Sequence, residues 1–203
     1  MADANSLLVE GKNDLMVICN ILQHHQVPQV FKVLEKGGID NILEVLPVQL
    51  KGSGVRKVGV VIDADLGVQQ SWERLAGLLR AAGYAAVPPQ PDANGTIVRQ
   101  EGSPSVGVWI MPNNALTGDL ETFLRYLVPN NDQLLPHATR YVESAQPILY
   151  LPQYKNKAII HSWLAIQEDP GKPFGQAITA RYLDAGAPEA LRFINWIRGL
   201  FVE

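Results

Sequence analysis

The chain has 203 residues, 47% of them hydrophobic, and its 17 basic and 20 acidic residues give a net charge of −3. A chain of this length can bury a core of its own, as one domain or as one domain with an extension. The charge argues against a protein that binds nucleic acid through a strongly basic surface alone.

The sequence shows no sign of secretion or of membrane insertion. Cys19 is the single cysteine, so no disulfide can form within the chain, which fits a reducing compartment. We find neither the basic and apolar stretches of a signal peptide nor an apolar run of about 18 residues. We therefore expect a cytoplasmic protein with no membrane partner, and the sequence leaves its oligomeric state open.

Strands and helices alternate along the first part of the chain. Short apolar runs predict four strands, at residues 6–9, 30–34, 58–62 and 106–111. Apolar residues at helical spacing predict the helices between them, at residues 12–26, 39–46 and 68–82. The β-branched run of the third strand is typical of a strand buried on both faces of a parallel sheet. The alternation predicts an α/β fold in which helices flank a parallel sheet.

Two stretches depart from this alternation. Residues 87–105 contain four prolines and an Asn94-Gly95 turn signal, which predict a surface loop or a hairpin before the fourth strand. Beyond residue 119 the pattern is helical throughout, with helices predicted at residues 120–127, 132–145, 155–167 and 189–201. We therefore divide the chain into an α/β domain, residues 1–127, and a helical C-terminal extension, residues 128–203, packed on it.

Acidic residues follow two of the predicted strands directly. Glu10 follows the first strand in the segment LLVEGKND, and Asp63 and Asp65 follow the third in VVIDADLG. The carboxyl ends of parallel strands meet at one edge of a sheet, where ligands bind in open α/β folds. Carboxylates gathered there repel one another unless a cation lies between them, and ligands that are all oxygen suit Mg²⁺ or Mn²⁺. The alternative is that Glu10 and Asp63 only cap the helices that follow.

These two segments, in this order and context, resemble the Toprim domain. That domain occurs in bacterial primases, type IA and type II topoisomerases, small ribosomal-RNA maturases and OLD-family nucleases. In its pattern a Glu follows the first strand and an Asp-x-Asp follows the third, and Glu10, Asp63 and Asp65 match these positions. The resemblance covers roughly the first 125 residues and implies a Toprim, Rossmann-like sheet. The helical C-terminal third is similar to the tail of small stand-alone Toprim proteins related to OLD nucleases.

The resemblance to OLD nucleases implies further site residues. Those enzymes use an Asp four residues after the Glu as a ligand of a second metal, and Asp14 has that spacing. The alternative role for Asp14 is to stabilise the first turn of its helix against the helix dipole. They also carry an acidic position after the fourth strand, and the segment GDLETFL offers Asp119 and Glu121 for it.

Three lysines are candidates for accessory roles. OLD nucleases carry a lysine further along the chain, and either Lys155 or Lys157 could supply that phosphate contact. Lys12 lies beside Glu10, and we expect its side chain to face solvent or phosphate without touching the metal. The histidines lack partners at metal-ligand spacing.

The function that this resemblance implies is Mg²⁺-dependent cleavage of phosphodiester bonds in DNA or RNA. Asp63 and Asp65 would hold the metal, with Glu10 as a further ligand or as the general acid/base. Two alternatives are a non-catalytic Toprim assembly module, which binds protein or nucleic acid, and a nucleotidyl transferase of the primase type. A phosphatase with an Asp-x-Asp motif would leave Glu10 without a role. The chain has no GxxxxGK[ST] phosphate loop, so any ATP-driven step would need a separate ATPase partner.

Overall fold

The computed structural model describes residues 5–64 and 67–203, and its centre is a five-stranded sheet. The strands are β1 (Ser6–Val9), β2 (Lys32–Glu35), β3 (Lys57–Asp63), β4 (Thr96–Val98) and β5 (Ser105–Met111). They lie in the order β2-β1-β3-β5-β4. The first three strands and β5 are parallel, whereas β4 pairs antiparallel with β5 at one edge. The sheet confirms the predicted α/β fold class.

The helices of the described residues cover both faces of this sheet. They are α1 (Lys12–His24), α2 (Ile39–Leu50), α3 (Val68–Ala81), α4 (Leu120–Tyr126), α5 (Leu135–Ser144), α6 (Lys155–Ala165), α7 (Phe174–Thr179) and α8 (Pro188–Phe201). A short 3-10 turn, Pro152–Tyr154, leads into α6. No described helix has the length and apolar character needed to cross a membrane.

Two helices differ from the prediction, and the structure decides between the loop and the hairpin predicted for residues 87–105. The proline-rich stretch 87–105 contains β4, which forms the hairpin alternative with β5 and is only three residues long. Helix α2 continues through Pro47 to Leu50, although a proline is expected to stop a helix. Helix α7 has six residues, too few for helical periodicity to show in the sequence.

Side chains of β3 and β5 alternate between the two faces of the sheet. On one face Val60 and Val108 belong to a core cluster with α2 and α3. On the other face Val61 and Trp109 belong to a larger cluster that includes α1 and the C-terminal helices. The division at residue 127 stays a prediction, and residues from both sides of it share this second cluster.

A pair of glycines lets α8 lie close to the sheet. Gly59 of β3 and Gly107 of β5 are register partners on the face that α8 covers. A Cβ atom at Gly107 would lie 2.4 Å from Leu200 Cδ2. A Cβ atom at Gly59 would lie 3.2 Å from the same atom and 2.5 Å from Leu7 Cδ1. Glycine is therefore needed at both positions for the space it leaves, and we call this surface the glycine trough.

Candidate functional site

The end of β1 and the end of β3 meet at the carboxyl edge of the sheet. Glu10 follows β1, and its Oε1 accepts a hydrogen bond of 2.8 Å from the backbone N–H of Asp63, the last residue of β3. The structure thus brings together the acidic residues of the two motifs, Glu10 and Asp63. Asp65, the third residue of the predicted set, lies outside the described residues.

One oxygen of the Asp63 carboxyl group is buried. This atom, Oδ1, is enclosed by protein, and none of the described residues forms a hydrogen bond with it. Burial is the largest cause that raises the pKa of Asp63 from 3.8 to about 9. The other causes are negative charges nearby, those of Asp14, Glu10, Asp119 and Glu121. Without a cation, the surroundings of Asp63 therefore favour its protonated form.

Asp14 combines a structural role with a place in this charge cluster. It lies buried in the first turn of α1, where its Oδ2 accepts a 3.1 Å hydrogen bond from the backbone N–H of Gly11. Burial, and to a smaller degree the charge of Glu121, raises the pKa of Asp14 to about 6. Backbone hydrogen bonds and Lys157 act in the opposite direction. The capping role is thus present, and it leaves Asp14 within electrostatic reach of Asp63.

The acidic positions after β5 face the same edge. Gly118 accepts a 2.9 Å backbone hydrogen bond from Ala64, which ties the loop after β5 to the end of β3. Asp119 caps α4, since its Oδ1 accepts hydrogen bonds from the backbone N–H and the hydroxyl of Thr122, at 2.8 and 2.6 Å. Glu121 is buried and forms an ion pair of 3.1 Å with Lys157 Nζ.

The three candidate lysines have different surroundings. Lys157 is half-exposed and pairs with Glu121, and this hydrogen bond is the largest cause that raises the pKa of Lys157. Lys155 Nζ instead pairs with Glu143 at 2.6 Å, with both side chains about half-exposed. Lys12 is exposed in the first turn of α1. Of these three, the structure places Lys157 beside the carboxylates.

A cavity of about 610 Å³ opens beside Asp63. Its walls come from α3, from the loop before α4 and the start of α4, and from the 3-10 turn and the start of α6. Its volume falls within the range of small-molecule sites, roughly 300–1,000 Å³. Asp63, Asp119, Glu121 and Lys157 all line it. The cavity therefore lies on the acidic cluster itself.

Several residues of this cavity were not predicted from the sequence. Ser71 and Arg74 line it from α3, and Ser71 Oγ donates to the backbone oxygen of Asp63 at 3.3 Å. Their spacing of three residues, early in the helix after the Asp-x-Asp segment, is a signal that could have identified them. Tyr154 and Asn156 also line the cavity, and no pattern in the sequence marks them.

The donor atoms at this edge fit a divalent cation. They are carboxylate oxygens, the ligands preferred by Mg²⁺ and Mn²⁺. A cation would supply the missing partner of Asp63 Oδ1 and offset the repulsion among the carboxylates. Within residues 5–64 and 67–203, no three Asp, Glu, His or Cys side chains are already arranged as a ligand set.

The comparisons with known proteins agree with this architecture. Residues 4–202 match the family described as "Protein of unknown function (DUF3226)". No protein of the curated collection matches the chain. Among solved structures, the C-terminal region of the OLD protein of Xanthomonas campestris pv. campestris is similar, with a TM-score of 0.51 and 15% sequence identity. That likeness covers 97% of this chain and 95% of the other. At this identity it shows the fold, which fits a Toprim-like α/β arrangement.

Proposed function

The chain belongs to the DUF3226 family, and we propose that it is a Mg²⁺- or Mn²⁺-dependent enzyme that cleaves phosphodiester bonds of nucleic acid. One observation carries the proposal. Asp63 Oδ1 is buried near four other carboxylates and beside an open cavity, and no residue that the structure describes forms a hydrogen bond with it. A buried polar atom without a partner calls for an explanation, and a bound cation would provide one here.

In this proposal Asp63 and Glu10 hold the metal, with Asp65 as a third ligand and Asp14 as the ligand of a second ion. A bound divalent cation polarises phosphate oxygens and lowers the pKa of bound water. The hydrogen bond from the backbone N–H of Asp63 fixes one carboxyl oxygen of Glu10 beside the end of β3.

The remaining residues of the cavity position the substrate. Lys157 and Arg74 line it and would supply positive charge for phosphate, although Arg74 also forms an ion pair with Asp40 outside the lining. Glu121 holds the Lys157 ammonium group in place through their ion pair. The overall reaction adds water across one phosphorus–oxygen ester bond, which leaves a phosphomonoester and a free hydroxyl group.

The fold contributes support, because the C-terminal region of the OLD protein shares it. The net charge of −3 gives little attraction for a nucleic-acid backbone, so cleavage by the isolated chain is expected to be weak. A protein partner, such as a separate ATPase, would then present the substrate.

The test is cleavage of labelled single- and double-stranded DNA and RNA at low salt, with Mg²⁺, Mn²⁺ or EDTA. Asp63→Asn should lower the rate by more than the roughly 100-fold that loss of an outer-sphere partner costs at metal sites. Asp169→Asn, on the exposed loop between α6 and α7, is the matched control and should cleave like the wild type. Binding of Mn²⁺, followed by electron paramagnetic resonance, should be lost in Asp63→Asn alone.

Equal trace cleavage by the wild type and by Asp63→Asn would assign the activity to a contaminant. In that case the non-catalytic assembly module would replace the proposed enzyme. Transfer of a nucleotide to a primer, with no hydrolysis, would favour the primase-type alternative.

A further inference from the structure

One side of the cavity ends in exposed apolar side chains. Residues 148–154 precede α6, and four large hydrophobic residues among them are exposed, Ile148, Leu149, Leu151 and Tyr154. We call these four residues the apolar rim. Leu149 is 90% exposed, more than any other large hydrophobic side chain in the described part of the chain. Nothing within the described residues buries this group.

The apolar rim is held in place against α5. Tyr150 Oη donates to the backbone oxygen of Val142 at 3.4 Å, and Lys155 pairs with Glu143 at the far end of the segment. The 3-10 turn contains a 2.8 Å hydrogen bond from the backbone N–H of Tyr154 to the backbone oxygen of Leu151. These contacts fix a hydrophobic surface that the protein presents to solvent.

Tyr154 joins the apolar rim to the carboxylate site. Its side chain is 47% exposed. Of the described residues that line the cavity, Tyr154 alone is aromatic. Its neighbour one helical turn further along, Lys157, lines the same cavity and pairs with Glu121. A ligand that spans this region meets an aromatic face, a cation and the carboxylate cluster in turn.

This sequence of surfaces matches the chemistry of an unpaired nucleotide. A nucleobase has flat apolar faces that stack on aromatic rings, and it is linked to a phosphate that a cation can contact. In a duplex the base faces are stacked on one another and a side chain cannot reach them. With a net charge of −3, the protein also has little electrostatic attraction for the phosphate backbone of a duplex.

Resting on the proposed function, we infer that the substrate is nucleic acid with unpaired bases at the cleavage site, and that Tyr154 stacks on a base beside the scissile phosphate. Stacking supplies the affinity that the few cations cannot. Binding should therefore weaken less with salt than binding through phosphate contacts would.

The test measures binding of fluorescein-labelled oligothymidylate and of a blunt duplex of the same length to the full chain. Anisotropy is followed with the Asp63→Asn variant, which prevents cleavage during the titration. The single strand should bind at least about tenfold more tightly than the duplex, and Tyr154→Ala should weaken single-strand binding about tenfold. Tyr154→Phe keeps the ring and should retain the affinity. Tyr141→Ala, at a tyrosine of α5 that is 69% exposed and does not line the cavity, is the matched control.

Equal binding of the two nucleic acids, equal effects of Tyr154→Ala and Tyr141→Ala, or no binding would overturn the inference. A dimer that Tyr154→Ala dissociates in sedimentation would assign the apolar rim to a second copy and would overturn it too. Binding and cleavage measured together on the wild type distinguish failure of this inference from failure of the proposed function. Single-strand binding through Tyr154 without metal-dependent cleavage would refute the enzyme and retain the binding site, whereas cleavage indifferent to Tyr154 and to pairing would refute the inference alone.

Discussion

Two positions on β3, four residues apart and on the same face, have opposite surroundings. At Gly59 the structure fills the available space with the side chains of Leu7, Leu200 and Phe201. At Asp63 it buries a carboxyl oxygen among other negative charges, and the described part of the chain offers that oxygen no hydrogen bond. The first position stabilises the fold, and the second reduces its stability until a ligand arrives. Strand β3 thus carries both Gly59, which allows α8 to pack on the sheet, and Asp63, which lies at the proposed metal site.

The largest effect should come from filling the glycine trough. Gly107→Ala places a methyl group 2.4 Å from Leu200 Cδ2 and close to Trp196, so that α8 must move away from the sheet. We expect a loss of about 2 kcal/mol in the free energy of unfolding, measured with urea. Gly77→Ala is the matched control, because its Cβ meets nothing within 4 Å in α3 and should stabilise that helix by up to about 1 kcal/mol. Equal stability of the two variants would mean that α8 does not rest on the trough.

A smaller effect should appear when the pH is varied in EDTA. The folded-state pKa values of Asp63 and Asp14, about 9 and about 6, exceed those of the unfolded chain. Their contribution to stability is therefore complete below about pH 4 and is lost as the pH rises to 6 for Asp14 and to 9 for Asp63. We expect the melting temperature to be roughly 5 °C higher at pH 5 than at pH 8.

The variant Asp63→Asn isolates the contribution of Asp63 to this pH dependence. It should remove most of the difference between pH 5 and pH 8, and at pH 8 it should melt above the wild type in EDTA. Mg²⁺ should restore the wild type at pH 8 and leave Asp63→Asn unchanged, since a bound cation favours the charged carboxylate. The melting temperature of the wild type in EDTA could instead rise from pH 5 to pH 8. That result would contradict the claim that uncompensated carboxylates at the carboxyl edge destabilise the metal-free protein.

The smallest effect should come from the two lysines of α6. Lys157→Ala leaves the buried Glu121 without its cation, and we expect a loss of about 1 kcal/mol, since the lysine itself is half-exposed. Lys155→Ala breaks an ion pair whose members are both about half-exposed, and it should cost less than about 0.5 kcal/mol. Urea denaturation in EDTA would compare them. If Lys155→Ala lost more free energy of unfolding than Lys157→Ala, the pairing of Lys157 with Glu121 would be contradicted.

The sequence was sufficient to predict the four parallel strands and the edge of the sheet where Glu10 and Asp63 meet. The β-branched run 58–62 identified β3 because buried parallel strands need such residues. The positions of Glu10 and Asp63 followed from strand order, since parallel strands end at one edge. Asp65 remains a prediction, because it lies outside the described residues.

The remaining features depend on rotations and distances that no local pattern encodes. Lys155 and Lys157 are two residues apart, so they lie on nearly opposite sides of α6, and only the packing of that helix decides which one meets Glu121. The close approach of α8 to Gly59 and Gly107 involves residues far apart in the chain. Leu191 illustrates the same limit: it lies at helical spacing from Ile194, yet it is 42% exposed while Ile194 is buried.

The packing of α8 on the sheet also has a consequence for how the molecule is made. Trp196 Nε1 donates to the backbone oxygen of Thr96, and Arg99 donates to that of Gly199; each pair is 100 residues apart along the chain. During synthesis the strands emerge from the ribosome long before α8 does, so the part of their apolar face that α8 covers is exposed in that interval. Contacts of such long range also slow folding, because the chain must close a large loop before it gains from them. The nascent chain therefore presents this apolar surface until α8 has been made.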